Sequence, residues 1–185
     1  MRLSLAFVTV FLIAACGLGY QLIAGSVSSY LLGDSVTQFS LTIGLYLFAL
    51  GIGSFLSKYL AEEALVERFI AIELAVAVAG GFSALVLQLS FASELWFRPV
   101  LTTTILVVGT LVGIEIPLLV RILKDELELK DLLARVLAFD YVGALAVALV
   151  LALVLVPRLG LVRSALALGL VNALVGAWSV SIFRT

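Results

Sequence analysis

RPVLTTTILVVGTLVGIEIPLLVRI, residues 98–122, is the stretch whose reading decides the fold. Between Arg98 and Arg121 it carries one charge, Glu115. A bilayer core of about 30 Å is crossed by about 20 apolar residues in a helix rising about 1.5 Å per residue, and this run is long enough. Glu115 and Pro117 are then the anomaly. A carboxylate at the centre of a span costs about 2.5 kcal/mol or more, and a proline removes the backbone donor that would bond the carbonyl of Gly113. Both together call for a reason.

Composition extends the membrane reading to the whole chain. Of 185 residues, 64% are hydrophobic and 12% charged, and mean hydropathy is +1.29. Soluble domains average roughly 45–50% apolar, and a core of this size cannot absorb the excess. The net charge of −1 offers no basic face for nucleic acid. With no histidine and a single cysteine, Cys16, the chain lacks the usual structural-metal ligand sets, an internal disulfide and a Ser-His-Asp centre; no metal is expected.

The same ruler divides the chain into six apolar spans, about 3–31, 38–60, 68–91, 98–122, 134–156 and 161–183. The expected fold is an all-α integral membrane protein, a single transmembrane domain over 1–185. Between the fourth and fifth spans, ILKDELELKDLLAR (122–135) alternates leucines with charges and reads as an amphipathic helix or helical extension at the membrane surface. Arg2, Lys58, Arg68, Arg121, Lys124, Lys130, Arg135 and Arg184 fall at one set of span ends, and Arg98, Arg158 and Arg163 at the other. That imbalance predicts cytoplasmic termini, with Trp96 and Trp178 near opposite boundaries. The run up to Cys16 also fits a lipoprotein signal, but the apolar stretch continues through GLGYQLIAG, so an ordinary buried thiol is expected.

Helices in lipid pack through small residues at four-residue spacing. Ala144, Ala148 and Ala152 continue a stripe from Asp140. Ala165, Gly169, Ala173 and Ala177 form another beside Asn172, and the Pro157–Gly160 turn predicts that the two stripes face each other. Gly44, Gly51 and the Gly80–Gly81 pair suggest further close contacts. GLG at 17–19 and GIGSF at 51–55 lack the preceding strand a dinucleotide site needs. In LLGDSVTQFS (31–40), Asp34 and Ser35 read as the cap of the second span, with Gln38 at capping-box spacing.

The polar groups that lipid would not tolerate are Glu73, Glu115 and Asp140, and more weakly Gln21, Gln88 and Asn172. By the span assignments the three carboxylates share the cytoplasmic half at similar depth, with Arg121 and Arg135 closer to the surface. In one reading the acids are helix glue, protonated or paired with Arg121, Arg135 or Tyr141. In another they line a cytoplasm-facing cation site opened by a Pro117 kink that frees Gly113. A third is a proton relay.

The runs IAACGLGYQLIAGSVSSYLLGDSVTQFSLTIGLYLFALGIGSFLSKY, GIEIPLLVRILKDELELKDLLARVLAFDYVGALA and VPRLGLVRSALALGLVNALVGAW, with GDSVTQFS, EIPLL-R and FDY-GAL as their specific motifs, closely resemble the membrane-embedded N-terminal region of bacterial spermidine synthase-like proteins. These are polyamine aminopropyltransferases. The resemblance implies an inner-membrane location and a cytosolic catalytic domain in cis or trans, which transfers the aminopropyl group of decarboxylated S-adenosylmethionine to a diamine. The sequence ends at Phe183-Arg184-Thr185, where that domain would begin, so this chain is expected to bind no cofactor and not to catalyse the transfer alone. The leading expectation is an anchor that binds or passes putrescine or spermidine through Glu115, Asp140 and Glu73, with Tyr141 as a cation–π partner. The rivals are a stand-alone cation or polyamine transporter and a purely structural anchor or homo-oligomerisation module.

Overall fold

The computed structural model describes residues 2–92 and 94–183, and all its regular elements are helical: α1 (Arg2–Leu32), α2 (Ser35–Leu56) with a 3-10 turn (Ser57–Tyr59), α3 (Leu65–Gly81), α4 (Ser83–Ser90), α5 (Glu94–Leu123), α6 (Leu129–Val150) continued by a π-helical turn (Leu151–Leu155), and α7 (Val156–Phe183). Among the described residues five helical stretches are long and apolar enough to cross a membrane: Leu3–Leu32, Ser35–Tyr59, Leu65–Ser90, Leu95–Leu123 and Leu129–Phe183. The expected count was six. The last stretch takes in both of the final two expected spans because helical turns continue up to Gly160 from either side.

Gly160 nevertheless turns the chain. Its φ of 75° and ψ of 173° are non-helical, in a region of backbone space that is essentially glycine-only. On the near side Phe7 stacks on Phe139 and Gly143 meets the backbone of Phe11, so α6 runs parallel to α1. On the far side Trp178 Nε1 donates to Thr9 Oγ1 at 3.1 Å and Cys16 Sγ to the Leu168 carbonyl at 3.5 Å. Residues 161–183 therefore run antiparallel to α1.

The first turn of the chain has an equally local cause. Gly33 adopts a φ of 71°, a conformation that ends helices at little steric cost to glycine, and its N–H bonds the Ser29 carbonyl. Asp34 caps α2, its carboxylate accepting from the Thr37 hydroxyl at 2.7 Å and the Thr37 N–H at 3.3 Å. The Ser35–Gln38 capping box is not the arrangement formed: the Ser35 hydroxyl accepts from Ser29 and Gln38 is buried. This tight connection folds α2 back on α1, with Phe39 against Gly25 and the Tyr46 hydroxyl donating to the Gly17 carbonyl at 2.7 Å.

The charged stretch 122–135 forms no separate helix, but its second half, 129–135, is a helical extension, the first turns of α6. α5 ends at Leu123, a turn follows, and extended Glu128 (ψ 138°) starts α6. Lys124, Asp125, Glu126 and Glu128 give the turn too little apolar surface to bury. Likewise the third stretch is broken at Phe82 into α3 and α4.

α1 is the hub, packing on α2, α4, α5, α6 and α7. It separates α6 from α7, so the two small-residue stripes do not face each other: α6 lies on α1, and α7 lies on α3 and α1. Gly169 serves the α3 contact. A Cβ there would fall 2.7 Å from the Ala77 carbonyl oxygen and 2.9 Å from the Gly81 Cα. Ala148 and Ala173 are half-buried and Ala152 and Ala177 exposed. Gly44 and Gly51 face open space, and Gly80 packs on the Tyr20 ring. The outer face carries exposed Leu47, Phe48, Leu89, Leu145, Leu153 and Leu174. So much exposed apolar surface is foreign to a water-soluble monomer and compatible with a membrane protein.

Candidate functional site

A carboxylate on an otherwise apolar helix has one tolerable direction, inward. Glu73 on α3 is 0% exposed and Glu115 on α5 is 1% exposed, and the two lie within electrostatic range of each other. Asn172 on α7 is also fully buried. It sits between Gly169, which abuts Ala77 and Gly81, and Gly176, whose Cβ would lie 3.3 Å from the Glu73 Cβ, so it lies about one helical turn from the level of Glu73. Tyr20 and Cys16, on α1, lie within range of both acids. In this cluster both oxygens of Glu73, Oε1 of Glu115, both amide atoms of Asn172 and the Tyr20 hydroxyl have no hydrogen-bond partner among the described residues. Buried polar groups are normally paired, at a cost of about 1–3 kcal/mol when they are not.

The third carboxylate lies on a different wall. Asp140 and Tyr141 of α6 line a groove of about 470 Å³ between α1, α2, α5 and α6, together with Pro117, Gly113, Ala144 and Gln21. Tyr141 is 68% exposed, and Asp140 is half-buried, within electrostatic range of Glu115. Pro117 lies inside α5, which continues to Leu123, while Gly113 packs against the Leu50 backbone. The structure therefore brings Glu73 and Glu115 together in the interior and sets Asp140 in the adjacent groove. Among the described residues no three His, Cys, Asp or Glu side chains converge tightly enough to hold one metal ion.

Arg121 is engaged elsewhere, and Arg135 is exposed. Arg121 Nη1 and Nη2 donate to the carbonyls of Ser57 and Leu60, each at 2.9 Å. They reinforce the Ser57 carbonyl, which also accepts from the Leu60 N–H at 3.2 Å, and satisfy the Leu60 carbonyl where α2 and its 3-10 turn end. Among the described residues the ion pairs are Lys124–Glu62 and Lys130–Glu128, both exposed, and neither involves Glu73, Glu115 or Asp140. Gln88 is exposed and takes no part.

Sequence reasoning passed over Tyr20 and Tyr46, which are 2% and 3% exposed. The signal was available: tyrosines prefer the ends of membrane helices, and both of these lie mid-helix.

Over nearly its whole length the chain is similar to bacterial polyamine aminopropyltransferases. It is 52% identical over 183 residues to polyamine aminopropyltransferases 2 and 1 of Ralstonia nicotianae, covering 98% of this chain and 36% and 35% of those proteins. It is 49% identical over 172 residues to the Leptospira interrogans polyamine aminopropyltransferase, covering 93% and 34%. The chain is thus homologous to a segment of these enzymes and spans about a third of the length of the curated relatives it matches. No family model matches the chain, and no solved structure matches it.

Proposed function

We propose that this chain is the membrane domain of a spermidine synthase-like polyamine aminopropyltransferase, anchoring the enzyme at the bacterial inner membrane and binding or guiding polyamine through Asp140, Glu115 and Glu73. Its relatives bear that enzyme name. The reversal at Gly160 supports reading the last apolar stretch as two passes, 129–159 and 161–183, and so six passes in all. An even number returns both termini to one side. That is the side of Lys58, Arg121, Lys124 and Lys130, the cytoplasmic one by the distribution of basic residues, where a catalytic domain meets its cytosolic substrates.

The observation that carries the polyamine reading is the Asp140 groove. Its volume lies within the range of about 300–1,000 Å³ common to small-molecule sites. Leu18, Leu47, Leu50 and Val112 give it apolar walls suited to methylene chains. Asp140 lines it, Glu115 lies within electrostatic range of Asp140 and of Glu73, and among the described residues no arginine or lysine pairs with any of the three. A flexible chain of ammonium groups spaced by methylenes matches that alternation of apolar wall and separated acid.

Calorimetric titration of the purified chain with spermidine tests this. Saturable binding that is lost in Asp140→Asn and weakened in Glu115→Gln is expected. An absence of saturable binding, or an unchanged affinity in Asp140→Asn, would overturn it. Entry of labelled spermidine into proteoliposomes would instead favour the transport reading.

A further inference from the structure

α2 and α5 run in the same direction, and their contact changes character along its length. In the middle of the bundle small residues lock them together. A Cβ at Gly109 would fall 2.7 Å from the Ala49 Cβ and 3.2 Å from the Tyr46 carbonyl oxygen, and Gly113 and Gly53 meet the backbones of Leu50 and Thr110. Nearer the helix starts no glycine closes the contact. There a cavity of about 230 Å³ opens between the two helices beside the end of α1, lined by Gln38, Thr42, Arg98 and Thr102 above an apolar floor.

The polar lining holds unused hydrogen-bonding capacity. Gln38 is 8% exposed and Thr42 2% exposed, yet neither side chain has a hydrogen-bond partner among the described residues. Their polar atoms are not sealed off either, so the little surface they keep faces the cavity. Thr42 is unusual in this. The buried hydroxyls of Thr9, Ser28, Ser57, Ser83, Ser164 and Ser179 each donate to a carbonyl three or four residues back, the local partner a hydroxyl takes in an apolar helix. Arg98 is exposed and is the one charged group lining the cavity. It takes part in no ion pair among the described residues. Asp34, one turn before Gln38, spends both carboxylate oxygens on Thr37.

We propose that this cavity binds the headgroup of an anionic phospholipid, its phosphate held by Arg98, Gln38, Thr42 and Thr102. A guanidinium fork matches two phosphate oxygens at once, and the Gln38 amide and two hydroxyls supply the further donors that a tetrahedral oxyanion accepts. Arg98 repels cations, so a polyamine is excluded here. The polarity is graded as a lipid's is. Gln38 and Arg98 lie within the first two turns of α2 and α5, at the ends of the apolar spans where headgroups lie. Leu45 and Ile105 line the cavity deeper in, and Leu41, 55% exposed, lines the way out to the hydrocarbon. The headgroup fills the cavity and the acyl chains leave it over Leu41. A free phosphate would leave that apolar floor uncovered. The site rests on the membrane placement of the chain and not on the polyamine groove.

The test is native mass spectrometry of the purified full chain in detergent, titrated with dimyristoyl phosphatidylglycerol. Saturable binding of a single lipid is expected, tighter than that of dimyristoyl phosphatidylcholine, whose choline cancels the headgroup charge. Arg98→Gln should weaken it by about tenfold or more and Thr42→Val by about threefold or more. Arg163→Gln, which removes an exposed arginine near the same end of the bundle, should leave it unchanged. Thr42→Val removes one hydroxyl and little volume, so it reports even if Arg98→Gln alters the fold. Four results would overturn the proposal: no saturable single-lipid binding, equal affinity for phosphatidylcholine, unchanged affinity in Arg98→Gln or Thr42→Val, or displacement of the lipid by an equal concentration of glycerol 3-phosphate. Spermidine titration reads the Asp140 groove, and alkaline extraction from vesicles reads membrane insertion, so failure here is told apart from failure of either.

Discussion

Replacing Glu115 by Met separates a functional acid from a structural one by the sign of the stability change. Glu115 is 1% exposed with Oε1 unpartnered. A buried polar group left unsatisfied costs about 1–3 kcal/mol, and a methionine of similar length fills the space with flexible apolar atoms. Replacing buried charged groups by packed apolar ones of like volume is often neutral or stabilising by about 1–4 kcal/mol. Glu115→Met should therefore stabilise the chain by about 1–3 kcal/mol. Glu73→Met should gain at least as much, because both its oxygens lack partners. The two gains should not add, since the carboxylates lie within each other's field. If the acids were helix glue, each would contribute about 0.6 kcal/mol through its hydrogen bonds, and Met would destabilise. The assay is SDS titration of the purified chain in mild detergent, followed by helical circular dichroism. Any loss of stability in either variant, with assembly otherwise intact, would refute the reasoning, since the expected change is a gain of about 1–3 kcal/mol.

Gly169→Ala should destabilise the chain by about 1–3 kcal/mol relative to Gly44→Ala, because its Cβ meets the Ala77 and Gly81 backbone while Gly44 faces open space; the same SDS titration compares them. Gly160→Ala should cost about 1–3 kcal/mol through backbone strain alone, as no atom lies within 4 Å of the new Cβ; thermal unfolding in detergent measures it. Arg121→Lys should lose about 1.5–3 kcal/mol, because a single ammonium does not reproduce the two-pronged contact with the Ser57 and Leu60 carbonyls; protease sensitivity of the 57–64 segment reports the loss. The Thr37 hydroxyl, and after it the Thr37 N–H, hold the Asp34 pKa below its ordinary value of 3.8. A depressed folded-state pKa stabilises the fold above the ordinary value and ceases to as pH falls through the folded one. Thr37→Val should therefore move the Asp34 carboxyl titration upward toward 3.8, as read by NMR.

The sequence made long apolar helices legible because hydrocarbon-length runs leave the backbone few other ways to satisfy itself. It made Glu73 and Glu115 legible as buried for the same reason. Which helices touch was not legible. The stripe from Ala144 to Ala152 and that from Ala165 to Ala177 look self-complementary, but α1 is apolar on all sides and takes the position between them. The partner of Arg121 was equally hidden: Ser57 lies 64 residues away in sequence, and no pattern says which helix end will need a donor. The half-exposed position of Asp140 on a groove was not legible either, since it depends on how far α6 and α2 stand apart, which only packing decides.

Anchoring alone does not explain the interior of this bundle. An anchor needs apolar length and close packing, and leucine-like residues at positions 73 and 115 would supply both without unpartnered oxygens. Instead the chain carries two buried acids, a buried amide at Asn172 and a mid-helix tyrosine, Tyr20, with six unpaired polar atoms among them. They converge from α1, α3, α5 and α7 beside a groove bearing a third acid. Elsewhere the local rules agree with the fold: Gly33 and Asp34 make the first turn, Gly160 the last, and Arg121 closes the end of α2. Departures from such consistency are expected where a protein gives up stability for function. Here they are concentrated in the interior where α1, α3, α5 and α7 meet, next to the groove that carries Asp140.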